Sequence, residues 1–90
     1  MIITIDVGNT NITVGVFNGD EIVASFRMTT KMPRTSDEYG MLLTNLLEQN
    51  RTHCDEIQDA IIASVVPNVM HSLEGAVLKY LNIRPIVIEP

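Results

Sequence analysis

Ninety residues make one small domain, which buries only about 60–65% of the surface its unfolded chain exposes. With 46% hydrophobic and 19% charged residues, the composition excludes intrinsic disorder, whose signature is low hydrophobicity joined to high net charge. A formal net charge of −5 argues against a nucleic-acid binder, which needs a basic face, but leaves room for a nucleotide held by backbone donors and a cation.

Cys54 is the single cysteine, so no internal disulfide can form, which fits a reducing compartment. The chain enters an apolar stretch at Ile2 with no basic segment before it, unlike a secretory signal. No apolar run approaches the ~18–20 residues of a membrane span. A soluble cytoplasmic protein without membrane or nucleic-acid partners is the expectation.

In chain order, Ile2 to Val7 is short, β-branched and almost continuously apolar, which predicts a central strand covered on both faces. Ile12 to Phe17 follows after a tight connection. Asn18-Gly19-Asp20 then signals a hairpin, with Asn-Gly suited to the positive φ angles of a type I′ turn. Glu21 to Met28 alternates, placing Ile22, Ala24, Phe26 and Met28 on one face of a half-buried strand. Three strands joined by tight turns predict an antiparallel meander.

Thr29 to Ser36 reads as a polar loop holding Lys31, Pro33 and Arg34. Thr35-Ser36-Asp37-Glu38 is a capping-box pattern, in which Thr35 and Glu38 satisfy each other's free amides at a helix start. Tyr39, Leu42, Leu43, Leu46 and Leu47 recur at helical spacing as one apolar stripe. Gly40 costs that helix roughly 1 kcal/mol relative to Ala, which predicts a close neighbour there. Asp59 to Val66 is another buried-strand run. Pro67 suits the first turn of a second helix, where its missing N–H is not needed. Val69 or Met70, Leu73, Val77, and Tyr80 or Leu81 form its stripe. Asn82 marks its stop, and Ile86-Val87-Ile88 reads as a fifth strand.

The order is β-β-β-α-β-α-β. With the meander antiparallel and the last two strands joined in parallel through right-handed crossovers, the predicted mixed sheet runs 3-2-1-4-5 with helices packed on it. That is an α/β, ribonuclease H-like arrangement, as in each half of actin-like ATPases. Pro90 directly follows the fifth strand, so residues 1–90 read as a single, incomplete domain.

Asp6-Val7-Gly8-Asn9-Thr10-Asn11 connects the first two strands. One reading is a plain turn, since Gly and Asn are ordinary turn residues. The other is a phosphate-and-metal seat. In it Asp6 projects from the strand end beside Ser64 and the second helix's amino end, and holds Mg²⁺ directly or through water. The amides of Gly8 to Asn11, the Asn9 side chain and the Thr10 hydroxyl donate to phosphate oxygens, with Gly8 allowing a close-approaching amide nest. No Lys follows, so this is not a Walker-type loop. Both readings stay open on these residues alone.

Other candidates fall to simpler accounts. His53 and His71 stand alone without metal-ligand spacing. Lys31 and Arg34 could meet phosphate but fit a solvated loop. Asp37-Glu38 fits helix capping and the helix dipole. Cys54 has no evident base beside it, and Ser64 is not in a Gly-x-Ser-x-Gly elbow.

Three stretches carry a family resemblance: Asp6-Val7-Gly8-Asn9-Thr10-Asn11, Arg34-Thr35-Ser36-Asp37-Glu38-Tyr39-Gly40, and Ser64-Val65-Val66-Pro67. In order and spacing the chain resembles the amino-terminal part of the type III pantothenate kinases, within the actin-like, sugar-kinase and heat-shock chaperone ATPase superfamily. Asn9 separates it from sugar kinases and chaperones, which usually carry Gly-Gly-Thr or Gly-Thr-Thr there. The resemblance implies ATP-dependent phosphorylation of pantothenate to 4′-phosphopantothenate, the first step of coenzyme A synthesis, in a cytoplasmic homodimer. It also implies Mg²⁺ and a monovalent cation such as K⁺ or NH₄⁺. Asp6 matches the family's metal- and phosphate-site aspartate, and Gly8, Asn9 and Thr10 match its phosphate loop, with Val7 and Asn11 in the same motif. Family chains are more than twice this length and contain two such halves around the ATP cleft. The general base, in a Gly-x-Asp-Arg segment, is expected beyond Pro90, so no catalytic residue is expected in 1–90 and the fragment alone is expected to be inactive. Two further readings are an actin-like or chaperone-like ATPase domain and a non-catalytic interaction module of the same fold.

Overall fold

A computed structural model describes residues 1–30 and 33–88. The strands are β1 (Ile2–Val7), β2 (Asn11–Asn18), β3 (Glu21–Thr29), β4 (Asp59–Ser64) and β5 (Ile86–Ile88). The helices are α1 (Ser36–Gln49) and α2 (Pro67–Ala76), which continues through a π-helical turn over Val77–Leu81. The sheet order is β3-β2-β1-β4-β5, as the connectivity predicts. β1 pairs antiparallel with β2 and parallel with β4, and β5 extends the parallel side.

Thr35 caps α1 as expected. Its hydroxyl accepts from Glu38 N–H at 3.1 Å, and Glu38 Oε1 accepts from Thr35 N–H at 2.9 Å. The α1 stripe buries Tyr39, Leu43 and Leu47, while α2 and its π turn bury Met70, Leu73, Ala76, Val77 and Leu81. Of the paired alternatives in the second helix, Met70 and Leu81 are therefore the buried members. Asn82 ends this helix in the left-handed region at φ 56°, a conformation Asn tolerates better than most residues.

Four expectations need correction. β1 is covered on one face only: Ile3, Ile5 and Val7 are buried, while Ile2 and Asp6 are exposed. Ile3, Ile5 and Val7 share one core cluster with the buried stripes of α1 and α2, which pack against each other. Ile22 is 59% exposed rather than facing the core with Ala24 and Met28. A bulge between Val16 and Phe17 sets Ile22 opposite Phe17, and an extra residue in one strand reverses the alternation beyond it.

The β2–β3 hairpin turns on Gly19 and Asp20, and only Gly19 has positive φ, at 64°. That is the pattern of a type II′ turn, with Gly at the first central position, rather than type I′. Finally, β4 stops at Ser64, two residues early. The Ser64 hydroxyl accepts from Val66 N–H at 2.9 Å and donates to Val66 O at 3.0 Å, which bends the chain into α2.

Candidate functional site

The turn between β1 and β2 is closed from one side by Gly8 N–H, which donates to Asn11 O at 2.9 Å. A Cβ on Gly8 would lie 3.2 Å from that same oxygen, so the close approach here favours glycine. Asn9, Thr10 and Asn11 are exposed. None of residues 8–11 has positive φ, so the turn is not the alternating left- and right-handed amide nest considered above. Its donors are arranged by the hydrogen bonds around it.

Those bonds come from the end of β3. Thr30 is buried, at 6% exposure. Its hydroxyl donates to Gly8 O at 2.9 Å and its N–H donates to Thr10 O at 3.0 Å. One residue further back, Thr29 O accepts from Arg34 Nη1 at 2.6 Å. The Arg34 guanidinium stands 5.5 Å over the ring of buried Tyr39, within range of a cation–π contact. Val65 N–H donates to Val7 O at 3.2 Å, bringing the chain after β4 against the end of β1. A cavity of about 360 Å³ lies between the end of β3, the start of α1 and the first turns of α2, lined by Thr30, Pro33, Arg34, Tyr39, Asn68, Val69 and Ser72. Three stretches distant in sequence thus converge at the carboxyl end of β1 and β4.

Asp6 is exposed on the face of the sheet opposite the helices. Its neighbours across the strands are Thr13 on β2 and Ala63 on β4, with Arg27 one strand beyond Thr13. Ser64 pairs with Val7 on the helix-covered side, so Asp6 does not project beside Ser64 as the topology alone suggested. The two faces of the sheet separate them. Asp6 is a single accessible carboxylate, and no group of three or more His, Cys, Asp or Glu is gathered among the described residues.

The remaining candidates take structural places. Lys31 lies outside the described residues. His53 and His71 are exposed. Burial first, then Glu48 and Asp55, push the Cys54 thiol above its ordinary value, which disfavours a nucleophilic thiolate. Glu38 serves the helix cap, but Asp37 also does something sequence spacing does not reveal. Its Oδ1 accepts from Lys79 Nζ and from Tyr80 Oη, both at 2.8 Å, tying α1 to the end of α2. Thr30 was missed as part of the turn. Counting back from Gly19 in regular register stops one residue short, at Thr29 opposite Thr10, because the bulge between Val16 and Phe17 shifts the ladder by one.

The fold is the ribonuclease H-like α/β arrangement of actin-like domains, with its mixed sheet in the order β3-β2-β1-β4-β5. A ROK hexokinase from Thermus thermophilus superposes with a TM-score of 0.71 over 98% of this chain and 33% of that one, at 10% identity, a likeness of fold alone. The sequence narrows this further. The family described as type III pantothenate kinase matches residues 2–90, and the chain belongs to that family. A type III pantothenate kinase from Agathobacter rectalis is 70% identical over 89 residues, covering 99% of this chain and 34% of the relative. One from Bifidobacterium animalis subsp. lactis is 47% identical, covering 100% and 36%. The chain spans about a third of the length of these curated relatives. Among the described residues, no helix is long and apolar enough to cross a membrane.

Proposed function

We propose that residues 1–90 are the amino-terminal domain of a longer two-domain kinase, which transfers the γ-phosphoryl group of ATP to the 4′-hydroxyl of pantothenate. Family membership across residues 2–90 is the observation that carries the reading. In the transfer, the pantothenate hydroxyl oxygen bonds to the γ-phosphorus, the bond to the β–γ bridging oxygen breaks, and ADP leaves. The hydroxyl proton passes to a general base.

Within this chain, the turn from Asp6 to Asn11 seats the ATP phosphates. Phosphoryl transfer depends on positioning and on cancelling charge at the phosphate oxygens rather than on covalent help from the protein. The Thr10 hydroxyl, the Asn9 side chain and the turn amides donate to those oxygens, and Asp6 is the metal residue. Mg²⁺ bound there supplies the neutralising charge that a turn without Lys lacks, and a monovalent cation such as K⁺ or NH₄⁺ fits the same need. Residues 1–90 are assigned no general base; it is expected after Pro90, together with most contacts to pantothenate. The full-length enzyme is proposed to act in the cytoplasm as a homodimer.

The test is to incubate the purified full-length protein with ATP, Mg²⁺ and pantothenate and follow 4′-phosphopantothenate by mass spectrometry. Product formation dependent on both substrates is expected, and residues 1–90 alone are expected to form none. ATP hydrolysis indifferent to pantothenate would replace this reading with that of an ATPase domain.

A further inference from the structure

We infer that Thr30 is a positioning residue for the phosphate turn, holding two of its carbonyls from behind so that the Asn9 and Asn11 amides are presented on the ligand side. The inference rests on reading Asp6 to Asn11 as the seat of the ATP phosphates.

The geometry follows from two hydrogen bonds and the planarity of the peptide unit. Thr30 Oγ1 donates to Gly8 O, and Thr30 N–H donates to Thr10 O. In a trans peptide the carbonyl of one residue and the N–H of the next point in opposite directions. Among the described residues no peptide is cis. Drawing the Gly8 carbonyl toward Thr30 therefore turns the Asn9 N–H away from it, and drawing in the Thr10 carbonyl does the same for Asn11 N–H. A closed two-residue turn would instead pair Gly8 O with Asn11 N–H. Here the Thr30 hydroxyl takes that carbonyl, which releases the Asn11 amide from the turn's own closing bond.

Thr30 is suited to the task because it is buried while the residues it controls are exposed. Water competes poorly for the Gly8 carbonyl there, and removing a buried donor leaves its partner unsatisfied. The segment behind Thr30 is anchored by Arg34 on Thr29 O and over Tyr39. Backbone amides stabilise phosphate charge best when they are oriented before the ligand arrives, so a residue that never touches ATP governs how tightly it binds.

The test compares Thr30→Val, which keeps the shape but drops the hydroxyl, with Thr30→Ser, which keeps the hydroxyl, in the full-length enzyme. Thr30→Val should raise KM for ATP by about five- to tenfold, the effect of losing one buried hydrogen bond, and leave KM for pantothenate within about twofold. ATP affinity by calorimetry should fall by the same factor, and Thr30→Ser should restore it. If Thr30→Val does not fold, Thr30→Ala carries the same comparison without crowding the site. Wild-type ATP affinity in the hydroxyl-free variant would overturn the assignment. So would equal weakening of both substrates, or a Ser variant as impaired as Val. Calorimetry with ATP needs no acceptor. A protein that bound ATP through Thr30 yet left pantothenate unphosphorylated would remove the proposed reaction and keep this inference.

Discussion

The ring of Tyr80 fills the space that a side chain on Gly40 would need. A Cβ built on Gly40 overlaps Cδ1, Cε1 and Cγ of that ring, and the Tyr80 hydroxyl is fixed at its far end to Asp37 Oδ1, 2.8 Å away. The first turn of α1 and the π turn that ends α2 are thus locked at two points one helical turn apart. Gly40→Ala should destabilise the full-length protein despite the helix propensity it adds. The propensity gain is about 1 kcal/mol, whereas forcing a side chain into a packed contact costs about 1–3 kcal/mol. Thermal unfolding should show a lower Tm, and Tyr80→Ala in the same chain should remove most of the extra loss. A Tm unchanged by Gly40→Ala would mean that the ring moves aside freely.

Asp37 should titrate below the ordinary carboxylate value of 3.8. Hydrogen bonding from Lys79 lowers it most, followed by that from Tyr80. A depressed folded pKa contributes stability that is present above 3.8 and lost as the pH falls through the lower folded value. The same pairing raises Lys79 above 10.5, so its contribution is present below that value and fades as the pH rises through the raised pKa. Both side chains are well exposed and open to screening by salt. Following the Asp37 carboxyl carbon by NMR should give a midpoint under 3.8 that climbs back toward it in Lys79→Met. A midpoint indifferent to Lys79 would remove the pairing as the cause.

Ser64→Ala should loosen the start of α2. The Ser64 hydroxyl meets both backbone groups of Val66, the residue that precedes the helix and has no side-chain cap of its own. Its removal leaves a part-buried N–H without that partner, at a cost of about 1–3 kcal/mol. Hydrogen exchange should accelerate at Val66 and Val69 while the β1–β2 ladder keeps its protection. Uniform acceleration across the sheet would show instead that Ser64 supports the whole domain.

Much of this architecture is legible in sequence because its determinants are local or topological. The Thr35–Glu38 box is read from four residues, and sheet order follows from apolar runs joined by crossovers of known hand. Gly40 could be flagged as an unfavourable helix residue, but not its partner, because Tyr80 arrives only once α2 has folded back over α1. Ile22 was misplaced because a bulge leaves no composition signal and reverses every side chain beyond it. The separation of Asp6 from Ser64 is of another kind. Both occupy the adjoining ends of β1 and β4, and only the register, pairing Asp6 with Ala63 and Val7 with Ser64, sets them on opposite faces. Thr30 was hidden for the opposite reason, since its loop looked polar while its side chain is buried.

Asp6→Asn separates the proposed metal role from a structural one. Asp6 is exposed, and the described residues show it no ion pair. The amide is nearly isosteric with the carboxylate, so thermal stability should change little, as is usual for surface substitutions. A metal ligand acts differently, because the charge it helps to hold in place is needed most as the phosphoryl group moves. In the full-length enzyme kcat should fall by at least about a hundredfold, with a much smaller change in KM for pantothenate, the pattern of an interaction made chiefly in the transition state. Near-normal turnover at saturating Mg²⁺, with Tm unchanged, would reduce the stretch from Asp6 to Asn11 to the hairpin turn its composition first suggests.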